Sequence, residues 1–187
     1  MKDKKEERII IFIDGSNLYH IVKDLFPEKK PNDFNFEKFV EYLTGNRNLI
    51  RTYYYNVPLD IMRDVESYMK QQKFFDKIQR ITNFTFVLCR MQKRKVNGKI
   101  IYEAKEDDIH LAVDMVKLAY NDEYDKALLV SSDGDFVPAV QAVQEKGKKV
   151  ENIGFENKFS YHLKQICTNF IKLKKEEVEQ FFNYYVK

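Results

Sequence analysis

Two aspartates stand two residues apart in the segment LLVSSDGDFVPAV, which runs from Leu128 to Val140. Asp133 and Asp135 flank Gly134 directly after an apolar run that is typical of a strand. Carboxylates this close repel one another, and such repulsion usually persists where a cation or a proton relieves it. The segment is therefore either a polar turn or half of a metal site, and the surrounding elements must decide.

A third carboxylate follows the first predicted strand. The segment RIIIFID, residues 8–14, is a continuous β-branched and aromatic run that ends at Asp14, and this pattern indicates a strand buried on both faces. In open α/β sheets, ligands bind beyond the carboxyl ends of the strands. If the strand before Asp133 is a neighbour of the first, Asp14, Asp133 and Asp135 meet at one edge of the sheet.

Asp107 and Asp108 begin the helix that precedes the fourth predicted strand. The helix dipole favours negative charge in the first turn, so a capping role is one explanation for both residues. The start of this helix also faces the same sheet edge, which makes Asp108 a fourth candidate ligand. Asp114 lies about 120° around the helix from Asp108, at 100° per residue, and is assigned a supporting role. The helix itself is predicted to bury the stripe Ile109, Ala112, Val113, Val116 and Ala119.

Strands and helices alternate along all 187 residues, which predicts one domain with a central, mainly parallel sheet covered on both faces. The chain carries 32 basic and 29 acidic residues, so the net charge of +3 does not point to a partner. Its two cysteines lack metal-site spacing, and no segment has about 18 apolar residues in a row or the pattern of a signal peptide. We therefore expect a cytoplasmic protein without membrane contact.

Three ordered segments, FIDGSNLYH, KEDDIHLAVDM and VSSDGDFVPAV, resemble the signature of the NYN domain, in particular its LabA-like branch, within the PIN-like nuclease superfamily. The matching positions are Asp14, Gly15 and Asn17, then Lys105, Asp108, Leu111 and Asp114, then Ser131, Asp133, Asp135 and Phe136. Ser160 and Leu163 fit the closing S-x-x-L element, while Asn169 stands where an aspartate is common.

The resemblance implies a three-layer α/β/α PIN-like (Rossmann-like) fold and a ribonuclease that needs Mg²⁺ or Mn²⁺. Oxygen-only ligands suit these hard ions, which can activate water for attack on a phosphodiester. We expect Asp14, Asp108 and Asp133 to bind the metal, with Asp135 binding directly or through water. Asn17 is expected to orient a water or the scissile phosphate, and Lys105 to neutralise phosphate charge. Asp114 and Ser131 are expected to support these residues.

RNA, in single-stranded form, is the expected substrate. Residues 90–102 read as a basic hairpin insertion that overhangs the acidic edge and contacts a phosphate backbone without sequence preference through Arg90, Lys93, Arg94, Lys95 and Lys99. The alternative for this segment is a solvated hairpin. Tyr55 or Tyr19 could stack on a base, although aromatic strand residues usually pack in the core.

Three functions compete at this point. The first is the metal-dependent ribonuclease, and the second is a nucleic-acid-binding or regulatory NYN module with little or no turnover. The third, a phosphatase of the haloacid-dehalogenase type, ranks last because that class needs a D-x-D at the first strand, where this chain has Asp14, Gly15 and Ser16. Residues 174–187 are predicted to form an amphipathic helix whose aromatic side chains cover the domain or contact a second copy in a homodimer.

Overall fold

The computed structural model describes residues 6–62, 64–96 and 99–182, and the side chains of residues 91–105 lie outside the description. Within these ranges, strands and helices alternate as the sequence predicts. The strands are β1 (Arg8–Asp14), β2 (Asn48–Asn56), β3 (Phe84–Leu88), β4 (Arg90–Val96), β5 (Lys99–Lys105), β6 (Lys126–Val130), β7 (Lys149–Phe155) and β8 (Asn169–Leu173). The helices are α1 (Gly15–Leu25), α2 (Phe36–Thr44), α3 (Val65–Ile78), α4 (Asp107–Tyr120), α5 (Val137–Glu145), α6 (Tyr161–Ile166) and α7 (Lys175–Glu179).

Six strands form one parallel sheet in the order β3-β2-β1-β6-β7-β8. The strands β1 and β6 are central neighbours, and Ile13 lies opposite Val130 at their carboxyl ends. Strand order reverses between them, because the chain runs outward through β2 and β3 and then returns to β6. The crevice for a ligand in such a sheet lies at this reversal. The condition set in the sequence analysis therefore holds, because β6, the strand before Asp133, is a neighbour of β1.

Two hydrophobic cores lie on the two faces of the sheet. Alternate residues of β1 serve both, with Ile11 and Ile13 on one side and Ile10 and Phe12 on the other. The first core packs against α1, α2 and α3, and the second against α4, α5 and α6. The three-layer α/β/α architecture is therefore confirmed. None of the described helices has the length and apolar character needed to cross a membrane.

The buried face of α4 differs from the predicted stripe. Ile109 and Val113 are 66% and 55% exposed, whereas Leu111 and Met115 are buried. The buried positions follow Asp107 at intervals of four, because this first-turn acid itself turns toward the sheet and fixes the rotation of the helix. The prediction for Ile109 and Val113 was wrong, since hydrophobicity alone does not reveal a buried aspartate.

The C-terminal region contains a strand that the sequence did not reveal. β8 extends the sheet between two short helices, and α7 spans Lys175–Glu179 where a longer helix over 174–187 was expected. Residues 183–187 lie outside the described ranges. Phe181 and Phe182 are buried and contact the ring of Phe34 at centroid distances of 5.9 and 5.5 Å.

Strands β4 and β5 pair antiparallel, from Arg90 opposite Lys105 to Val96 opposite Lys99. This pair occupies the segment predicted as a basic hairpin. Arg90 is exposed, and the side chains of Lys93, Arg94, Lys95 and Lys99 lie outside the description.

Candidate active site

Asp14 lies at the junction of β1 and α1, where it caps the helix. Its Oδ1 accepts a hydrogen bond from the backbone N–H of Asn17 at 2.9 Å, and its Oδ2 accepts one from Ser131 Oγ at 3.0 Å. Asp14 is only 5% exposed. Burial, reinforced by the charges of Asp108 and Asp107, raises the pKa of this carboxyl to about 7 even though both hydrogen bonds favour the ionised form.

The loop after β6 is held against Asp14 and α1 by two serines. Ser131 Oγ, which donates to Asp14, accepts from the backbone N–H of Asp133 at 3.1 Å. Ser132 donates from its backbone N and its Oγ to Asn17 Oδ1, both at 3.1 Å. The side chain of Asn17 therefore joins α1 to this loop, and its amide nitrogen is the polar atom that can face a ligand.

The closely spaced pair that follows is part of a tight turn. Asp133 Oδ1 accepts the backbone N–H of Asp135 at 2.9 Å, and a single 3-10 turn over Gly134–Phe136 leads into α5. One oxygen of Asp133 is thus used to shape the loop, while Asp135 is exposed. Both readings of this pair in the sequence are compatible with the geometry, because a capping carboxylate keeps a second oxygen for a ligand.

Asp107 and Asp108 bring the start of α4 to the same edge. Ser16 Oγ donates to Asp107 Oδ2 at 3.1 Å, and Asp107 is buried, so α4 is tied to α1 at its first residue. Asp108 is exposed, yet partial burial and then the charges of Asp107, Asp133 and Asp135 raise its pKa to about 6. The sequence analysis offered a first-turn capping role for Asp107 but did not predict its burial or its contact with Ser16, for which the four-residue spacing to Leu111 was the available signal.

These aspartates form what we call the acidic edge, composed of Asp14, Asp107, Asp108, Asp133 and Asp135. Among the side chains that the structure describes, no Lys, Arg or His forms an ion pair with any of them, and the charges acting on Asp14 and Asp108 come from other carboxylates. In the same part of the chain, no group of three or more His, Cys, Asp or Glu side chains is arranged to hold a metal ion as it stands.

The donor chemistry of the acidic edge nevertheless fits a hard divalent cation. Its side-chain donors are carboxylate oxygens, which Mg²⁺ and Mn²⁺ prefer, and their mutual repulsion is what a bound cation would relieve. The structure thus brings Asp14, Asp108, Asp133 and Asp135 to one place, with the supporting Ser131 in direct contact with Asp14.

Other predicted residues lie around this edge. Asp114 Oδ2 accepts the hydroxyl of Tyr55 at 3.0 Å, and Tyr55 lies opposite Asp14 in the sheet register. Tyr55 is buried and cannot stack on a base, whereas Tyr19 is 42% exposed. Lys105 is the last residue of β5, directly before Glu106 and α4, and its side chain lies outside the description.

Asn152 is a functional candidate that the sequence analysis missed. From the middle of β7, its fully buried Nδ2 donates to the carbonyl oxygens of Leu129 at 3.0 Å and Ser131 at 2.9 Å. It therefore fixes the point where β6 ends and the aspartate loop begins. The signal was an amide side chain in the middle of the predicted strand KVENIGF, since a polar residue that is buried in a sheet needs hydrogen-bond partners.

The NYN domain family model matches residues 8–174, which include all five aspartates of the acidic edge. The chain belongs to the NYN domain family. This family falls within the PIN-like superfamily and comprises nucleases. The resemblance noted in the sequence is confirmed.

Two curated relatives and one solved structure accompany this match. The uncharacterized protein MJ0482 of Methanocaldococcus jannaschii is 30% identical over 150 residues, covering 75% of this chain and 57% of that protein, so the match spans little more than half of the relative. The low amplitude and bright protein LabA of Synechococcus elongatus is 23% identical over 174 residues, covering 90% of this chain and 85% of that protein. A crystal structure of VPA0982, a protein of unknown function from Vibrio parahaemolyticus, has a TM-score of 0.72 at 23% identity, covering 92% of this chain and 96% of that one, and shows the shared fold.

Proposed function

We propose that this protein is a divalent-metal-dependent ribonuclease that hydrolyses RNA phosphodiester bonds at the acidic edge. The observation that carries the proposal is the convergence of five aspartates at the strand-order reversal without a described cationic partner. Carboxylates that serve only stability are normally paired or hydrogen-bonded to cations, as uncompensated buried charge is costly. Membership of a family that comprises nucleases supports the same conclusion.

Asp14, Asp108 and Asp133 would hold Mg²⁺ or Mn²⁺ through carboxylate oxygens, with Asp135 bound directly or through water. When bound, such an ion supplies an activated water and stabilises the leaving oxygen of the phosphodiester. Ser131 and the N–H of Asn17 orient both oxygens of Asp14, which prevents the buried carboxylate from turning away. Asp107 is held by Ser16 and keeps the start of α4, and with it Asp108, at this edge.

The substrate backbone is proposed to lie along the hairpin formed by β4 and β5. Arg90 is exposed at its base, and Lys93, Arg94, Lys95 and Lys99 follow on its two strands. These residues would neutralise phosphates, with Lys105 at the end of β5 closest in sequence to the acidic edge. Contacts of this kind supply affinity without sequence preference and weaken as salt increases.

A second candidate is an NYN module that binds RNA and turns over little of it. The observation in its favour is that no group of described acidic side chains is arranged to hold a metal ion as it stands. The two candidates share the RNA-binding surface and differ only in turnover, so a cleavage assay separates them.

The deciding experiment is cleavage of an end-labelled single-stranded RNA with Mn²⁺, Mg²⁺ or EDTA. Asp108→Asn tests the acidic edge because Asp108 is exposed, so we expect its replacement to leave the fold intact. Asp76→Asn, at an exposed position of α3, is the matched control. We expect cleavage that requires the metal and is lost in Asp108→Asn but kept in Asp76→Asn. RNA that is bound but not cut with either metal would favour the binding module, and equal rates in both variants would exclude this site.

A further inference from the structure

A cleft of about 420 Å³ opens beside the acidic edge, between α1, α3 and the loop before α2. Its volume lies within the range of about 300–1,000 Å³ that small-ligand sites occupy. Its lining includes aromatic rings and side-chain amides, among them Tyr19, Phe36, Tyr54, Phe74, Asn56 and Gln71. The proposed phosphodiester chemistry does not use this cleft.

Two side chains connect the cleft directly to the acidic edge. Ser16 lines the cleft and donates its hydroxyl to Asp107 Oδ2 at 3.1 Å. Tyr54 also lines it, and its ring approaches the junction of β1 and α1 so closely that a Cβ on Gly15 would lie 2.4 Å from Tyr54 Cζ. A group inside the cleft that contacts Ser16 is therefore separated from the carboxylate of Asp107 by this one side chain.

The walls of the cleft are preformed. Gln71 of α3 accepts the backbone N–H of Leu59 at 2.7 Å and donates to the carbonyl of Val57 at 3.1 Å, which fastens the loop after β2 to α3. Asn56 donates to the hydroxyl of Tyr54 at 3.0 Å and accepts the backbone N–H of Val57 at 2.7 Å. An amide nitrogen carries two hydrogens, so Asn56 keeps a donor for a ligand edge.

The chemistry of the lining selects a flat, uncharged ring. No Asp, Glu or Arg is among the described residues that line it. The basic side chains of the lining are Lys70, which pairs with Glu66, and His20, whose ring meets that of Tyr19 edge to face. A phosphate would gain little in such a place, whereas a heteroaromatic ring can stack on aromatic side chains and hydrogen-bond at its edge. Tyr19 stands in the lining with 42% of its surface exposed, as a stacking residue requires.

We propose that this cleft binds one unpaired nucleobase of the RNA strand whose backbone lies at the acidic edge, with Tyr19 as its stacking partner. This inference rests on the proposed function for the identity of the strand. It gives a structural reason for the single-stranded substrate expected from the sequence, because a base held in a Watson–Crick pair cannot enter a cleft walled on several sides.

The test is abasic scanning of a fluorescein-labelled single-stranded RNA, with affinity measured by fluorescence anisotropy in Ca²⁺ and in EDTA. We expect loss of one particular base to weaken binding about tenfold, within the range measured for base–aromatic stacking. Tyr19→Ala should weaken the intact RNA to a similar extent and should not weaken further the RNA that lacks that base. Tyr19→Phe keeps the ring and should restore affinity.

Tyr120→Ala is the matched control, since Tyr120 is exposed at the far end of α4. Equal affinity of all abasic RNAs, or equal effects of Tyr19→Ala and Tyr120→Ala, would overturn the proposal, and scanning with wild-type protein decides even if Tyr19→Ala folds poorly. Metal-dependent cleavage without base dependence would remove the cleft proposal alone. Base-dependent binding without cleavage in Mn²⁺ would instead remove the nuclease proposal, and no RNA binding in either buffer would overturn both.

Discussion

The two ends of the parallel sheet treat their acidic residues in opposite ways. At the amino ends of the strands, a region that we call the amino edge, described cations and carboxylates form two groups of ion pairs. Its ion pairs join Arg8 to Asp122 and Asp125, Lys148 to Asp122 and Asp125, Arg47 to Glu151, Lys126 to Glu7 and Glu151, and Lys149 to Glu7. At the carboxyl ends, the five aspartates of the acidic edge have no ion pair with a described side chain.

The same residue type therefore has opposite electrostatics at the two ends. Hydrogen bonds and charge from Arg8 lower the pKa of Asp125 to about 2, against partial burial. Burial and neighbouring carboxylates raise the pKa of Asp14 to about 7. The carboxylates of the amino edge have cationic partners, whereas those of the acidic edge have none among the described side chains. This difference in pairing, rather than the number of aspartates, is why we propose function for the acidic edge and assign a structural role to the amino edge.

The largest expected effect comes from the same substitution at both ends. Asp14→Asn should lower the rate of RNA cleavage at least about 100-fold, as removal of a group that holds the reacting centre does. Its melting temperature in EDTA should not fall, because a buried and repelled charge is removed. Asp125→Asn should keep the cleavage rate and lose stability. Rates are measured on labelled RNA and melting by circular dichroism.

Similar behaviour of the two variants would contradict this difference between the two ends of the sheet. A marked drop in melting temperature for Asp14→Asn in EDTA would mean that its hydrogen bonds to Ser131 and Asn17 outweigh the repulsion. Cleavage at the wild-type rate in Asp14→Asn would exclude this carboxylate from the reaction.

The second prediction concerns stabilisation of the protein by a divalent cation. Mn²⁺ at 100 times its dissociation constant should stabilise the wild-type protein by about 2.7 kcal/mol. For a chain of this size, that stabilisation corresponds to a rise in melting temperature of about 5–10 °C. Asp108→Asn should lose most of the rise because it removes a proposed ligand, whereas Asp125→Asn should retain it. A similar rise in both variants would place the cation away from the acidic edge.

The third prediction concerns the close packing that positions Asp14. A Cβ on Gly15 would lie 2.4 Å from Tyr54 Cζ and 2.5 Å from the carbonyl oxygen of Tyr55. Gly15→Ala should therefore lower the free energy of unfolding by about 1–3 kcal/mol, as overpacking does. Gly134→Ala, between Asp133 and Asp135, is the control. A Cβ there would have Ser160 Oγ as its nearest neighbour at 3.3 Å, and the substitution should change stability by less than about 1 kcal/mol. Urea unfolding measures both, and a neutral Gly15→Ala would contradict this account.

The convergence of Asp14 with Asp133 and Asp135 was predictable from the sequence. Both segments follow strongly apolar strands, and the carboxyl ends of adjacent parallel strands lie at one edge. The rotation of α4 was not predictable, because it depends on the contact between Asp107 and Ser16, which are far apart in the chain. Local periodicity carries no information about such a contact.

Two other features could not be predicted from the sequence, for related reasons. β8 is a five-residue edge strand with exposed Asn169 and Lys172, so its alternation of polar and apolar residues is too short to be distinctive. Asn169 Nδ2 donates to Glu151 at 3.1 Å, which places it in the amino-edge network rather than at the acidic edge. Tyr55 could be placed on a strand from the sequence, but its burial against Asp114 required the packed structure.

The smallest expected effect tests the amino edge through its pH dependence. The folded-state pKa of Asp125, about 2, lies below the ordinary aspartate value of 3.8, so this carboxylate contributes stability above pH 4 and loses it as the pH falls through about 2. The side chain is 35% exposed, so solvent screening reduces the contribution to about 1 kcal/mol. Asp125→Asn should therefore be less stable than wild type by this amount at pH 7 in urea unfolding, and the difference should shrink between pH 4 and pH 2. A difference that stays constant over this range would mean that Asp125 stabilises the protein through its hydrogen bonds with Arg8 and not through its negative charge. The amino edge would then be a polar network rather than an ionic one.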